Sequence, residues 1–203
     1  MTLEEEFHKA ISNSDIKTAK KLALESGLDF NHSLPPFDKT PLSNAASLGL
    51  TASVDFLLSL DVDINKTDGN DMTPLMNACS AGKVKGSKVA LKLIESGANV
   101  NYVRSDDDMT ALQFAVISCR PEVITALIEH GAELDGPENA EETALMLAAR
   151  NNNVAVLEIL INAGADHKLE SKLSWAKGLT PLGIAKEAKH KKAVEFLSKY
   201  ENA

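Results

Sequence analysis

Apolar residues along the chain fall at helical spacing in short blocks, and the blocks come in pairs. Leu42, Ala45 and Ala46 are followed by Val54, Leu57 and Leu58; a later pair runs Leu145, Leu147, Ala148, Ala149 and then Val154, Val156, Leu157, Leu160, Ile161. Steps of three and four residues put each block on one face of a helix. The polar breaks between blocks are too short for anything but a turn. Near the start, Leu3, Phe7, Ala10 and Ile11 predict one helix, and Ile16, Ala19, Leu22 and Ala23 predict a second after Asp15.

The pairs repeat. Thr-Pro-Leu or Thr-Ala-Leu begins at Thr40, Thr73, Thr110, Thr143 and Thr180, with intervals of 33, 37, 33 and 37 residues. A pentad opened by Gly or Asp, with alternating small or apolar and polar residues, begins at Gly27, Asp61, Gly97, Gly131 and Gly164, with intervals of 34, 36, 34 and 33. Both series have a physical task. Threonine caps a helix through its side-chain oxygen, and proline suits the first turn, where its missing N–H is not needed. Glycine ends the second helix in a left-handed conformation that a Cβ disfavours. Each unit is predicted as helix, turn, helix and extended loop.

With this period and these motifs the chain resembles the ankyrin-repeat family, whose units start Thr-Pro-Leu-His and close Gly-Ala-Asp-Val-Asn. The resemblance implies an all-α fold, an ankyrin-repeat solenoid of about six helix–turn–helix units with hairpin-like loops. Approximate units are 1–34, 35–67, 68–104, 105–137, 138–174 and 175–203, forming a single domain over 1–203 with the first and last units as caps. The family's histidine is missing throughout, its positions being Ser43, Met76, Gln113, Met146 and Gly183. An inter-repeat hydrogen-bonding group is therefore expected to be absent. Thr73 to Gly97 spans 24 residues against 21 in the other units, which places a three-residue insertion around Lys83 to Lys88. The stretch from Gly164 to Thr180 spans 16 against 12 or 13, which enlarges the last loop, the one that carries Trp175. Insertions in repeat proteins tend to fall in loops on one face.

Composition narrows the function. Aromatic residues are 4% of the chain, so the core must be mostly Ala, Leu, Ile and Val. The formal charge is −8, which argues against nucleic acid as a partner. Residues 101–150 alone hold ten acidic and three basic side chains. No apolar run is long enough for a membrane span, and Glu4, Glu5 and Glu6 stand where a signal peptide would be basic, which points to a cytoplasmic protein. Cys79 and Cys119 are 40 residues apart without a ligand-like spacing and read as small hydrophobes in a reducing compartment. Neither His8, His32, His130, His167 and His190 nor Gly82 to Lys88 matches a metal or phosphate-loop pattern, so no catalytic residue, metal or cofactor is assigned. Lys186, Lys189, Lys191 and Lys192 read as the polar face of a capping helix.

What the resemblance implies for binding is a concave face built from the residues before each Thr and the late part of each first helix. Carried onto this chain, the expected partner-binding set is Phe37, Lys39, Leu48, Asn70, Met72, Met109, Ile117, Glu142, Arg150 and Lys177, joined by Tyr102, Trp175 and the acidic edge Asp106, Asp107 and Asp108 in the loops. Trp175 and the Met72/Met109 stripe are the expected anchors, and the acidic edge the selector of a basic partner. The leading expectation is a non-enzymatic protein-interaction module, monomeric when free, that grips a folded partner protein with a basic surface, in the manner of an inhibitor or immunity-type protein. The rivals are a self-associating scaffold and a small enzyme or metal-binding protein that uses His32, His130 and His167.

Overall fold

The structure, a computed structural model, describes residues 1–25, 27–81, 85–118 and 121–201. Among them are twelve α-helices and no strands beyond isolated bridges at the loops. The chain divides into two compact units, Met1–Asn99 and Val100–Ala203. The first holds α1 (Leu3–Ser12), α2 (Ile16–Leu22), α3 (Pro41–Leu48), α4 (Thr51–Leu57), α5 (Pro74–Ser80) and α6 (Lys85–Glu95). The second holds α7 (Ala111–Ser118), α8 (Pro121–Glu129), α9 (Ala144–Arg150), α10 (Val154–Asn162), α11 (Pro181–Glu187), α12 (Lys191–Leu197) and a closing 3-10 turn, Ser198–Tyr200.

Starts and stops follow the repeated residues. The side chains of Thr40, Thr73, Thr143 and Thr180 accept hydrogen bonds from the backbone N–H groups of Ser43, Met76, Met146 and Gly183 at 3.1 to 3.3 Å. Pro41, Pro74 and Pro181 fill the first turn. The first repeat lacks the Thr-Pro-Leu start, yet Thr2 caps α1 in a reciprocal arrangement with Glu5. At the other end Gly97, Gly131 and Gly164 are left-handed (φ 84°, 82° and 98°). The next residue's N–H, that of Ala98, Ala132 or Ala165, reaches back five residues to the Leu93, Leu127 or Leu160 carbonyl.

Packing proceeds in chain order within each unit. In the first, α1, α3 and α5 adjoin in series and α2, α4 and α6 back them; in the second, α7, α9 and α11 are backed by α8, α10 and α12. First helices are the most enclosed: every residue of α5 from Pro74 to Cys79 is buried, as is every residue of α9 from Ala144 to Ala149. Leu42, Leu57, Leu75, Met76 and Leu93 form the core of the first unit, and Leu112, Ile124, Leu127 and Leu145 that of the second. Burial of each such side chain stabilises the fold by about 1.5–3 kcal/mol.

A second set of bonds joins successive loops. The fifth pentad residue accepts, through its side-chain oxygen, the backbone N–H of the third pentad residue in the next repeat: Asp63 onto Asn31 at 2.7 Å, Asn99 onto Asn65 at 2.8 Å, Glu133 onto Asn101 at 2.9 Å and Asp166 onto Asp135 at 3.0 Å. The three asparagines also carry a donor, which Asn101 gives to the Gly131 carbonyl at 2.8 Å. Asp135 has none when ionised, and burial pushes its carboxyl above the ordinary range.

The expected insertion is not a loop over its described part. Lys85 to Lys88 form the first turn of α6, the longest helix among the described residues at 11 residues; Lys83 and Val84 lie outside the described residues, as does Cys119. Within α6, Gly86 stands directly against the Ala78 carbonyl of α5. A methyl group on Gly86 would collide with the Ala78 carbonyl oxygen, so this approach requires glycine.

Candidate functional site

Each loop before a capping threonine is a small finger. Leu34 and Lys39 exchange both backbone bonds at 3.1 Å, and Val103 pairs with Thr110. Two residues before the Thr, the chain turns through the left-handed region at Asp38, Asp71, Asp108 and Gly178 (φ 45°, 53°, 56° and 78°). Asp108 therefore sits where the backbone turns, in a conformation that aspartate tolerates and most residues do not.

In the first unit, Phe37 tops its finger and is 54% exposed. Its carbonyl accepts the Gly69 N–H at 2.7 Å, which fastens one finger to the next. Lys39 is turned inward: its ammonium donates to Asn77 Oδ1 at 3.2 Å, and Asn77 Nδ2 donates to the buried Asp68 at 2.9 Å. Asp68 in turn accepts the N–H groups of Asn70 and Met72. Lys39 is thus a brace for the Asn70–Met72 finger, on which the Asn70 residue is exposed and Met72 half-buried. Leu48, at the end of α3, is exposed.

In the second unit Arg104 forks onto Asp106 and Asp107 at 3.1 and 2.9 Å, so the acidic edge is partly neutralised from within. Tyr102 and Met109 are half-buried and Ile117, on the outer side of α7, is 48% exposed. Glu142 is turned inward rather than lining an open edge. Its side chain is 9% exposed and Oε2 pairs with Arg150 Nη2 at 2.9 Å, while Oε1 is buried with no hydrogen-bond partner among the described residues. Burial raises the Glu142 carboxyl above the ordinary range, Arg150 opposing. Five residues of the expected set, Asp107, Met109, Ile117, Glu142 and Arg150, line one cavity of about 150 Å³ together with Gln113, Glu141, Leu147 and Leu173.

Gln113 is what sequence reasoning missed. It occupies the position of the family's histidine and makes an inter-repeat bond there. Its Oε1 accepts from the Thr110 N–H at 2.7 Å and the Thr110 hydroxyl at 3.1 Å, and its Nε2 donates to the Glu142 carbonyl at 2.7 Å. The expected loss of this group therefore does not hold at α7. Met146 imitates only the first half, with its sulfur 3.4 Å from the Thr143 nitrogen.

The enlarged loop before Thr180 is tied down by the Ser171 N–H on the Leu179 carbonyl, the Gly178 N–H on the Ser171 carbonyl and the Lys172 N–H on the Glu141 carbonyl, at 2.9 to 3.0 Å. Ala176 is buried against Met146 and Ile184, with Leu173 and Leu179 beside them. That anchor turns the neighbouring Trp175 outward, where it is 54% exposed with Lys177 exposed beyond it. Phe37, Leu48, Ile117 and Trp175 are four of the seven large apolar side chains exposed among the described residues.

Three histidines bond backbone carbonyls, His190 that of Arg150 at 2.9 Å, while His167 Nε2 is buried with no hydrogen-bond partner among the described residues. His8 is buried and donates to the His32 carbonyl at 2.8 Å, its imidazole held below its ordinary pKa by desolvation; His130 bonds the Ala126 carbonyl of its own helix. Among the described residues no three His, Cys, Asp or Glu side chains converge as a metal site, and no helix is long and apolar enough to cross a membrane.

Comparison with known proteins agrees with the repeat. A family model for ankyrin repeats in three copies matches residues 7–104 and 84–171. The chain is 30% identical to the Arabidopsis thaliana potassium channel AKT2/3 over 89% of its own length and 21% of the channel's, and 33% identical to human rabankyrin-5 over 90% of its own length and 16% of that protein's. It thus spans about a fifth of the length of such curated relatives. A solved structure is similar end to end: in the complex of the predatory endopeptidase Bd0816 of Bdellovibrio bacteriovorus with the immunity protein Bd3460, the immunity protein superposes with a TM-score of 0.83 at 30% identity, over 97% of this chain and 98% of that one. Capping threonines, left-handed glycines, stacked helix pairs and a family match over most of the sequence converge, and the chain belongs to the ankyrin-repeat family.

Proposed function

We propose that this chain is a non-enzymatic, immunity-type inhibitor that binds a folded enzyme through its finger tips and first helices. Ankyrin repeats are protein-interaction modules. The observation that carries the narrower reading is the structural likeness: the immunity protein superposes on 97% of this chain with a TM-score of 0.83 at 30% identity. The exposed apolar residues supply contact area of the kind interfaces use, since aromatic side chains held rigidly at a surface act as anchors. Trp175 is such a residue, its backbone pinned by Ala176 and the Ser171 bonds.

The partner is proposed to present a basic surface. Arg104 with Asp106, Asp107 and Asp108 still leaves an excess of two negative charges in one loop. Such a cluster steers a cationic partner and makes association salt-dependent. By analogy with the neighbour's complex, the partner class is an endopeptidase. The test is to mix the purified chain with endopeptidases from its own source organism, and with Bd0816, and to follow complex formation by gel filtration and peptide-bond cleavage by activity. Stoichiometric binding with loss of cleavage supports the reading. Binding without inhibition reduces it to an interaction module, and no binding to any of them removes it.

A further inference from the structure

The cavity in the second unit has the chemistry of a receptor for one particular side chain. Its apolar lining is Met109, Ile117, Leu147 and Leu173, and Glu142 lines it too. Asp107 and Glu141 stand at the lining with Arg150; Arg104 pairs with Asp107 and Arg150 with Glu142, so three carboxylates meet two guanidiniums and one negative charge is left over. An anion would be repelled. A bare cation would leave the apolar wall unused, whereas a long aliphatic stem ending in a positive head satisfies both parts at once. The form of the acceptor narrows the head group. Glu142 Oε2 is already taken by Arg150, and the single buried oxygen Oε1 has no donor among the described residues. A guanidinium needs two parallel acceptors to use its fork, while an ammonium is a point donor that one oxygen serves. From the apolar wall, the net negative lining and the orphaned Glu142 oxygen, we infer that this cavity is a lysine slot: it takes up one lysine side chain of the partner protein, stem against Ile117 and Leu147 and ammonium on Glu142 Oε1, which is covered in the free chain and is uncovered as the lysine enters. The inference rests on the reading that the chain binds a protein, but it is tested without that partner.

The probe is the capped peptide Gly-Gly-Lys-Gly-Gly, titrated into the full chain carrying 13C-labelled Met, Ile and Leu methyl groups. Saturable shifts confined to Met109, Ile117, Leu147 and Leu173, with an affinity of about millimolar, are expected. The same peptide with norleucine, which keeps the stem and lacks the charge, is expected to bind at least about tenfold more weakly, and the arginine peptide about threefold more weakly. Raising salt from about 50 to about 500 mM should weaken the lysine peptide several-fold. Glu142→Gln should lose the preference for lysine over norleucine. If that variant fails to fold, Asp107→Asn at the rim, whose side chain is partly exposed, should still lower lysine affinity about twofold to threefold. Equal binding of lysine and norleucine peptides, or no saturable shift with lysine at about 50 mM, overturns the slot. If the slot fails while the chain still inhibits an endopeptidase, only this inference falls. If the peptide binds as expected and no endopeptidase is bound, the slot stands and the inhibitor reading falls.

Discussion

Gln113 is where one side chain holds two repeats together, so its removal has a calculable effect. The residue is 4% exposed, and its three hydrogen bonds serve the Thr110 N–H, the Thr110 hydroxyl and the Glu142 carbonyl. Gln113→Ala strands the Thr110 N–H and the Glu142 carbonyl, two backbone groups that no other bond described above serves, each costing about 1–3 kcal/mol if water does not reach it. Partial entry of water into the space left behind brings the expected loss to about 3 kcal/mol, a large share of the roughly 5–15 kcal/mol that holds a domain folded. Gln113→His restores a ring with one acceptor and one donor and should stay within about 1 kcal/mol of the parent. Urea unfolding followed by helical circular dichroism measures both, with the slope checked for loss of two-state behaviour, and amide exchange in residues 100–203 places the effect. A Gln113→Ala variant within about 0.5 kcal/mol of the parent, or a histidine variant as unstable as the alanine one, would refute the assignment.

Three further outcomes follow from other sites. Asp135→Asn should stabilise by about 0.5–1.5 kcal/mol by supplying the donor that Asn101 has. Because the Asp135 carboxyl is raised in the folded state, its ionised form weakens folding at neutral pH and that penalty fades as pH falls through the folded-state value, so the gain should shrink towards acid pH; a gain that grows there refutes the sign. Gly86→Ala should destabilise by about 1–2 kcal/mol in thermal or urea unfolding, the clash with the Ala78 carbonyl outweighing the roughly 1 kcal/mol that alanine gains as a helix former. Trp175→Ala should keep its helical spectrum and weaken partner binding by at least about 2 kcal/mol by calorimetry, and equal affinity removes Trp175 from the interface.

Much of the fold is legible in the sequence because its instructions are local. A threonine cap acts within four residues and a left-handed glycine within six, so Thr40, Thr73, Gly97 and Gly131 can be read one repeat at a time. The exposure of Phe37, Leu48 and Ile117 is legible for the same reason, since position in the repeat sets which way a residue faces, whereas that of Trp175 depends on the burial of Ala176 beside it. What sequence reasoning misses depends on the neighbouring repeat. Lys39 looks like a free charge until Asn77, 38 residues on, is placed beside it, and Glu142 looks like part of an acidic edge until Arg150 draws it inward one helix later. Gln113 differs from the family residue in type yet matches it in donor and acceptor, a likeness that a motif written in letters conceals. The insertion at α6 shows the converse, since its described residues Lys85 to Lys88 extend a helix where Gly86 allows the close approach to Ala78.

The ladder of pentad side chains has a direction. Each repeat offers an oxygen from its fifth position to the backbone of the repeat that follows, and nothing is required in return, so any segment ending in Asn or Asp can receive a copy of the segment after it. This is a grammar for growth by duplication: a repeat excised between two such residues and reinserted elsewhere finds its docking bond already present. The pattern breaks at one position. The last pentad ends in Lys168, whose ammonium only donates, so an additional repeat grafted beyond α12 would find no acceptor there. Lengthening the array at that end therefore begins with Lys168→Asn, a one-residue edit that reopens the chain to extension.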